Sequence, residues 1–585
     1  MSQQVADKSS WNLVKFEDPD KLTEMAQSTG RKQFFKERGV VYLMTFIMGG
    51  CGIAYEYTFS KISSDLLGNS VVQWAVTIGL MMFFMGIGSD LQKHLSDRHL
   101  FDKFLVFEIL LGMIGAFGPI LLLYFFGVSR DHYVLVQYAS ITSVGFLIGL
   151  EIPILTRINE HFTTELKANI GGVLRMDYVG AFAGALVWVF VLPRFFTLVQ
   201  MSFVLGLLNL LTAGVALYYF RSLVYRKKSL IAFISTAVMG LILGFSMAPT
   251  WTRYSEQKLY LNPIVFSATT RYQHIVLTRS HGGDLFCYIN GHTQFSSFDE
   301  FIYHEFLVHP IMSIAPRHDR VLVLGGGDGL AVRELLKYPD VKSVTLVDLD
   351  PEMTRLARAN PELSALNENS LQNAKVRFLE NHALSAVPGK TEGVFSPDRT
   401  QLFESEYYPT VEVSIVNIDA AQFINQISGT FDVIVLDFPD PSNLELSKLY
   451  SKSFYQQLHS KLSRDGILVQ QSTSPIYSKD AFLCIGRTMN AAGLSALPFH
   501  ENVPVFGEWG WWMGCRKDSY LARDMRKKLE NLDELSVPVR YLTTDLVRAS
   551  LAFGKSSFKT QETEVNTIVN NVIFRYYVEG ALFGD

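Results

Sequence analysis

From Val40 to about Met247 the chain alternates long apolar stretches with short charged ones. The apolar stretches fall near 40–60, 70–89, 104–127, 133–154, 172–193, 199–220 and 229–247. Each is close to the ~20 residues that an α-helix needs to cross a bilayer. "FLVFEILLGMIGAFGPILLLYFF" and "SLIAFISTAVMGLILGFSM" are the clearest, and glycine recurs in them, which lets neighbouring helices approach closely. The pattern predicts a membrane domain of about seven helices over 38–247, preceded by a polar tail over 1–37. The first apolar run is too long for a cleaved secretory leader, so none is expected.

Past Met247 the period changes. "NPIVFSATTRYQHIVLTRS" and "DLFCYINGHTQFSS" are short strand-like runs broken by Gly and Asn, and they predict a small antiparallel β domain over 248–312. "DRVLVLGGGDGLAVRELLKY" then reads as strand, glycine turn and helix, and "VKSVTLVDLDPEMTRLARAN" as strand, acid and helix. That βαβ order predicts a Rossmann-like, doubly wound parallel sheet over 313–530, followed by a C-terminal extension over 531–585. The expected fold is a multi-span α-helical membrane domain followed by an α/β domain.

Composition agrees with a two-part chain. Of 585 residues, 48% are hydrophobic and 18% charged, too apolar for an ordinary soluble protein and too charged for a membrane bundle alone. A net charge of −4 gives no basic surface for phosphates, which sets nucleic acid aside as a partner. The four cysteines, Cys51, Cys287, Cys484 and Cys515, show no CxxC spacing, so neither a metal site nor a disulfide framework is expected.

Glu56, Glu108, Glu151 and Asp177 fall inside the apolar stretches, where ionisable groups are candidates for function. The competing account is local pairing, since Arg175 stands two residues from Asp177.

The glycines of "LGGGDG", Gly325, Gly326, Gly327 and Gly329, allow a tight turn and close approach to a ligand. Asp348, about 20 residues on at the next strand tip, is placed to accept ribose hydroxyls. Asp328 lies inside the loop, where its charge opposes a pyrophosphate and favours a cationic ligand. The strand-like "FDVIVLD" ends in Asp437, and Asp440 follows on the turn "LDFPDP". By themselves the two acids fit either a catalytic pair or an Asx-turn beside Pro441.

Taken together, "YQHI" (272–275), "INGHTQFSSFDEFIYHEFLVHP" (289–310), "LGGGDG" (324–329), "VDLD" (347–350), "LDFPDP" (436–441) and "LYSKSFY" (449–455) resemble the aminopropyltransferase family, spermidine synthase in particular, and its membrane-fused branch. The resemblance implies transfer of an aminopropyl group from decarboxylated S-adenosylmethionine, a co-substrate rather than a bound cofactor, to a diamine such as putrescine. It implies that Gln273, Gln294, Gly325, Gly327, Asp348, Asp419 and Ala420 hold the nucleoside and that Asp328 binds the ammonium of the aminopropyl arm. Tyr303 and His304 would border the amine channel, Asp437 would be the base, and Asp440 would anchor the far ammonium. A diamine substrate, the lipid bilayer that the apolar stretches call for and other copies of the chain in a homo-oligomer are the expected partners.

The adenine-side acid has two candidate positions, "VRFLENHA" (376–383) and "VSIVNIDAAQF" (413–423); the second carries Asp419 and is chosen. Residues 384–410 then read as an inserted polar loop. The family's "VPTYP" appears as "VPVFGEWGWWMG", with Phe506 where a tyrosine is usual. Glu508 is expected to replace the lost contact, and Trp509, Trp511 and Trp512 to line the channel or pack in the core. Two other readings stand beside this one: a methyltransferase using intact S-adenosylmethionine, and a polyamine transporter or sensor.

Loop charges place the N-terminus in the cytoplasm, and an odd number of spans then exports the catalytic half. The donor is a cytosolic metabolite and the cysteines suit a reducing compartment. We therefore expect an inner-membrane protein whose catalytic half faces the cytoplasm, with the segments around Glu151 or Asp177 as candidates for re-entrant elements.

Overall fold

The computed structural model describes residues 31–67, 70–160, 166–372, 374–377 and 411–583. The chain divides between Leu261 and Asn262 into two compact units. The inserted loop at 384–410 lies outside the described residues.

Among the described residues the first unit contains seven long α-helices: α1 (Arg31–Leu67), α2 (Ser70–Leu91), α3 (Leu100–Val128), α4 (Arg130–Asn159), α5 (Leu166–Phe190), α6 (Leu198–Tyr219) and α7 (Lys227–Gln257). All seven are long and apolar enough to cross a membrane. Large apolar side chains such as Met82, Phe83, Phe182 and Leu243 point outward, while glycines bring the helices together inside. A Cβ on Gly50 of α1 would lie 3.2 Å from the Gly180 carbonyl of α5.

Two expectations change here. The last helix runs past Met247 to Gln257, which moves the unit boundary to Leu261. Glu151 and Asp177 lie within continuous helices rather than re-entrant segments.

The second unit opens with a four-stranded antiparallel sheet in the order β1 (Ile264–Thr269), β2 (His274–Arg279), β3 (Leu285–Ile289), β4 (His292–Ser296). Helix α8 (Glu300–Ile314) leads into the main fold. That fold comprises β5 (Arg320–Gly325), α9 (Leu330–Leu335), β6 (Ser343–Asp348), α10 (Pro351–Ala359), α11 (Pro361–Leu366), β7 (Lys375–Arg377), β8 (Glu412–Asn417), α12 (Ala420–Gln426) and β9 (Phe431–Asp437). It continues with α13 (Leu444–Ser447), α14 (Lys452–Lys461), β10 (Leu462–Gln471), α15 (Lys479–Ala491), β11 (Leu494–Val503), β12 (Gly507–Arg516), α16 (Leu521–Glu530), α17 (Thr544–Ser550) and α18 (Val572–Phe583).

The eight strands run in the order β11-β12-β10-β9-β5-β6-β8-β7. Strand side chains alternate between faces, so Val321, Val323, Val433 and Val435 enter one core while Leu322, Leu324, Ile434 and Leu436 enter the other. Both faces are therefore apolar and covered by helices, as a parallel sheet requires. The sheet is mixed rather than wholly parallel, because after α15 the chain returns as the β11–β12 hairpin and β12 pairs antiparallel with β10.

The C-terminal extension packs into the same unit. The Glu305 carboxylate of α8, fully buried, accepts the backbone N–H groups of Arg540, Tyr541 and Leu542 at 2.6, 3.0 and 2.8 Å. All four cysteines are free and buried.

Candidate active site

Strands β5 and β9 are parallel neighbours in the register Gly325 to Asp437, so the glycine loop and the end of "FDVIVLD" lie side by side at the carboxyl rim of the sheet. Gly326 has φ +65°, and a Cβ there would stand 3.0 Å from Asp437 Oδ2. A Cβ on Gly327 would meet Asp348 Oδ2 at 2.6 Å. These glycines let the loop pass between two carboxylates.

Asp348 accepts the N–H of Gly327 at 3.1 Å and that of Asp350 at 2.8 Å. Burial nevertheless pushes its carboxyl up to about 7, with the nearby Asp350 and Asp328 adding to the effect. Asp350 also accepts the Thr270 hydroxyl at 2.8 Å, and that hydroxyl accepts the N–H of Gln273 at 3.0 Å. The turn carrying Gln273 is thereby tied beside Asp348. Gln294 donates its amide to its own strand, at 3.2 Å from the His292 carbonyl.

Strand β8 pairs with β6 in the register Asp348 to Asn417, which puts Asp419 and Ala420 on the same rim. Asp419 caps α12, accepting the N–H groups of Ala421 and Gln422 at 3.0 and 3.1 Å, and pairs with Lys448 at 2.7 Å.

The Tyr303 hydroxyl donates to Asp437 Oδ1 at 2.6 Å. One ligating atom each from His304, Asp328 and Asp437 lies within 4.8 Å of the others. Burial pushes the Asp437 carboxyl up to about 6; His304 opposes the shift and Asp328 adds to it. Asp328 is raised as well, first by burial, with His304 acting against it.

Burial disfavours a charged His304, but the Glu300 carboxylate, 3.0 Å from Nδ1, overrides it and holds the imidazole above its usual range. Glu300 in turn receives a two-pronged contact from Arg333 at 2.8 and 2.9 Å. Burial works to raise the Glu300 carboxyl, yet His304 and Arg333 together bring it below the ordinary value. A chain of alternating charges thus runs from Arg333 through Glu300 and His304 to the two acids. The three ligating atoms could surround a metal ion or an organic ammonium alike, the two carboxylates supplying the negative charge.

Asp440 lies on the turn three residues beyond Asp437. Its carboxylate binds no backbone N–H of its own turn among the described contacts, as an Asx-turn would require. It accepts Gln471 Nε2 at 3.2 Å, and Tyr577 and Thr473 also reach it. Burial pushes it up to about 6, against those three hydrogen bonds. Gln471 is itself fixed by the Phe438 carbonyl at 2.5 Å and the Tyr450 hydroxyl at 3.0 Å.

Phe506 packs edge-on against Tyr303 at a ring separation of 6.1 Å and tilted against Trp509 at 4.8 Å. Glu508 does not join them. Period-two alternation puts it on the face of β12 opposite Trp509 and Trp511, where it bonds His500. Trp511 is stacked between Phe306 and Phe499, and the Trp512 N–H donates to the Phe482 carbonyl at 2.9 Å. Both are core residues, but Trp511 also lies against Tyr303 at a ring separation of 5.6 Å, so it backs the site directly while Trp509 reaches it through Phe506. The sequence reading missed Glu300, Arg333, Gln471 and Tyr577.

A model of the spermine/spermidine synthase domain matches residues 300–386 and 402–525. The polyamine aminopropyltransferase of Leptospira interrogans is 36% identical over 543 residues, covering 92% of this chain and 97% of the relative. The chain belongs to the polyamine aminopropyltransferase family. Polyamine aminopropyltransferase 1 of Ralstonia nicotianae is 34% identical, covering 96% of this chain and 98% of the relative. The polyamine aminopropyltransferase of Oceanobacillus iheyensis is also 34% identical, with 93% and 97% coverage. Matches of this length necessarily run through the apolar unit, so these relatives share it. The crystal structure of spermidine synthase from Thermotoga maritima aligns with 50% of this chain and 84% of its own, at 21% identity and a TM-score of 0.38.

Proposed function

We propose that the second unit transfers the aminopropyl group of decarboxylated S-adenosylmethionine to putrescine, giving spermidine and methylthioadenosine. The observation that carries this reading is the grouping of Asp437, Asp328 and His304 at the glycine loop, with Tyr303 bonded to Asp437. A diamine arrives protonated, since alkyl ammonium groups titrate near the lysine value of ~10.4, and an ammonium has no lone pair with which to attack.

In this reading Asp348, Asp419 and the Gln273 turn hold the nucleoside, and Asp328 takes the ammonium of the aminopropyl arm. Asp437 accepts a proton from the attacking ammonium. The freed nitrogen forms a bond to the carbon beside the sulfonium, and the C–S bond breaks with its electron pair passing to sulfur. Tyr303 keeps Asp437 aimed, while Asp440, with Gln471 and Tyr577, receives the distal ammonium. Phe506 and Trp509 supply an apolar wall for the methylenes between the two nitrogens. The sulfonium is already activated, so orientation and proton removal account for much of the acceleration.

The seven apolar helices support placement in a membrane, and the cytosolic origin of the donor supports a cytoplasmic catalytic half. The test is incubation with putrescine and either intact or decarboxylated S-adenosylmethionine. The reading requires methylthioadenosine from the decarboxylated donor. Formation of only S-adenosylhomocysteine from the intact donor would replace it with methyl transfer.

A further inference from the structure

Two acids that the catalytic reading does not use face each other in the interior of the first unit. Glu108 of α3 and Glu151 of α4 are 0% and 5% exposed, and their carboxyl groups meet within hydrogen-bonding reach. No basic side chain is among the groups acting on either carboxylate. The expected local pairing is also missing nearby: Arg175 and Asp177 form no ion pair among the described residues, and the Asp177 carboxylate instead lies against Gly49 of α1.

Other polar groups converge on this pair. The Tyr55 hydroxyl and Cys51 thiol, one turn apart on α1, lie within electrostatic range of both glutamates. The Tyr55 ring is packed over Gly115 of α3, and Asn209 of α6 abuts Gly112. Glu108, Gly112 and Gly115 are spaced by four and three residues and so share one face of α3. Tyr55 and Asn209 are fully buried. Apart from this meeting of the two glutamates, the Tyr55 hydroxyl, both amide atoms of Asn209, both oxygens of Glu108 and one of Glu151 have no hydrogen-bond partner among the described residues.

Such a set is costly in an apolar interior unless a cation or a proton completes it. A proton shared between the glutamates satisfies one oxygen of each and leaves the phenol and the amide unpaired. An alkylammonium does more, because its three N–H donors match a carboxylate from each glutamate and the Tyr55 or Asn209 oxygen. The second unit assembles a similar chemistry for the same class of ligand, two carboxylates beside a tyrosine hydroxyl and aromatic walls.

We propose that Glu108, Glu151, Tyr55 and Asn209 form an internal site in the seven-helix unit that binds a primary ammonium group of a di- or polyamine. The choice of ligand rests on the aminopropyl-transfer reading of the other unit. The site would give the apolar unit a role in receiving substrate or product, beyond anchoring.

The test uses the full chain in lipid nanodiscs. Dicyclohexylcarbodiimide attacks carboxyl groups in apolar surroundings, and the labelled glutamates are identified by mass spectrometry. Spermidine or putrescine should slow labelling of Glu108 and Glu151 at least about tenfold, whereas NaCl or KCl at equal ionic strength should not. In the same preparation, Glu151→Gln should lose one class of bound radiolabelled spermidine while releasing methylthioadenosine at the unaltered rate. Tyr55→Phe, which removes no bundle volume, should weaken that class several-fold.

Labelling insensitive to polyamines, or slowed equally by the inorganic salts, would overturn the site even with methylthioadenosine released normally. Protection by polyamines without any methylthioadenosine would uphold the site and instead refute aminopropyl transfer.

Discussion

The Tyr303 hydroxyl and the Asp437 carboxylate are joined by a 2.6 Å hydrogen bond, between a helix and the tip of the central strand. A hydroxyl donating to a carboxylate stabilises its ionised form, and Asp437 is already raised to about 6 by burial. An ionised base is required, so activity should fall as pH drops through that region. Tyr303→Phe should move the acidic limb of kcat/KM for the amine to higher pH, as read from initial rates with the donor saturating. An unmoved limb would mean that Asp437 is not the titrating base.

Asp437→Asn should lower kcat by about 10²- to 10⁴-fold, the usual contribution of a positioned general base. Methylthioadenosine binding, followed by calorimetry, should change little, because the proposed nucleoside contacts are at Asp348 and Asp419. Loss of nucleoside binding would show that the residue shapes the loop instead.

Asp440→Asn should leave kcat nearly intact and raise the KM for putrescine about 10- to 100-fold, as expected for a charged hydrogen bond worth ~1.5–3 kcal/mol. Tyr577→Phe should raise it in the same direction by a smaller factor, since Tyr577 acts through Asp440. Glu508→Gln should leave the KM unchanged.

Glu300→Gln should destabilise the second unit by about 3–5 kcal/mol, because it strands buried Arg333 and His304 without their counter-charge. The Glu300 carboxyl is held below its ordinary value of 4.5 in the folded chain. Its contribution is therefore complete above that value and is lost as pH falls through the lower, folded value. Chemical denaturation at neutral and acidic pH should show the difference between wild type and variant shrinking on the acidic side.

A cytoplasm-specific reporter fused after Asp585 should be active, and a periplasm-specific one silent. Were all seven helices to cross, that outcome would start α1 on the periplasmic face, against the basic loops. Activity of only the periplasmic fusion would place the catalytic unit outside.

The acids were legible in the sequence because strand ends deliver side chains to a rim: "FDVIVLD" and "VTLVDLD" announce their terminal carboxylates, and the glycines between them leave room for nothing larger. Arg333 was not legible, since an arginine in "GLAVRELL" reads as solvent-facing until the fold covers it. Tyr577 stands far along the chain from Asp440 and only tertiary packing joins them. Glu508 was assigned to the wrong side because the face of a hairpin strand depends on register, and the turn after Val503 sets that register. The mixed sheet was missed for a related reason: an antiparallel edge hairpin has the same residue preferences as a parallel strand.

Asp437 and Asp440 are each fastened, one by the register of β9 beside β5 and the other by Gln471, with only Phe438 and Pro439 between them. The gap between them cannot stretch to suit its guest. With the proposed roles of the two acids it would work as a ruler: acceptors should be sorted by how many methylenes separate their nitrogens, each CH₂ left unburied forfeiting about 0.8 kcal/mol. Selectivity of this kind resides in a length, and only a backbone change between the two carboxylates would recalibrate it.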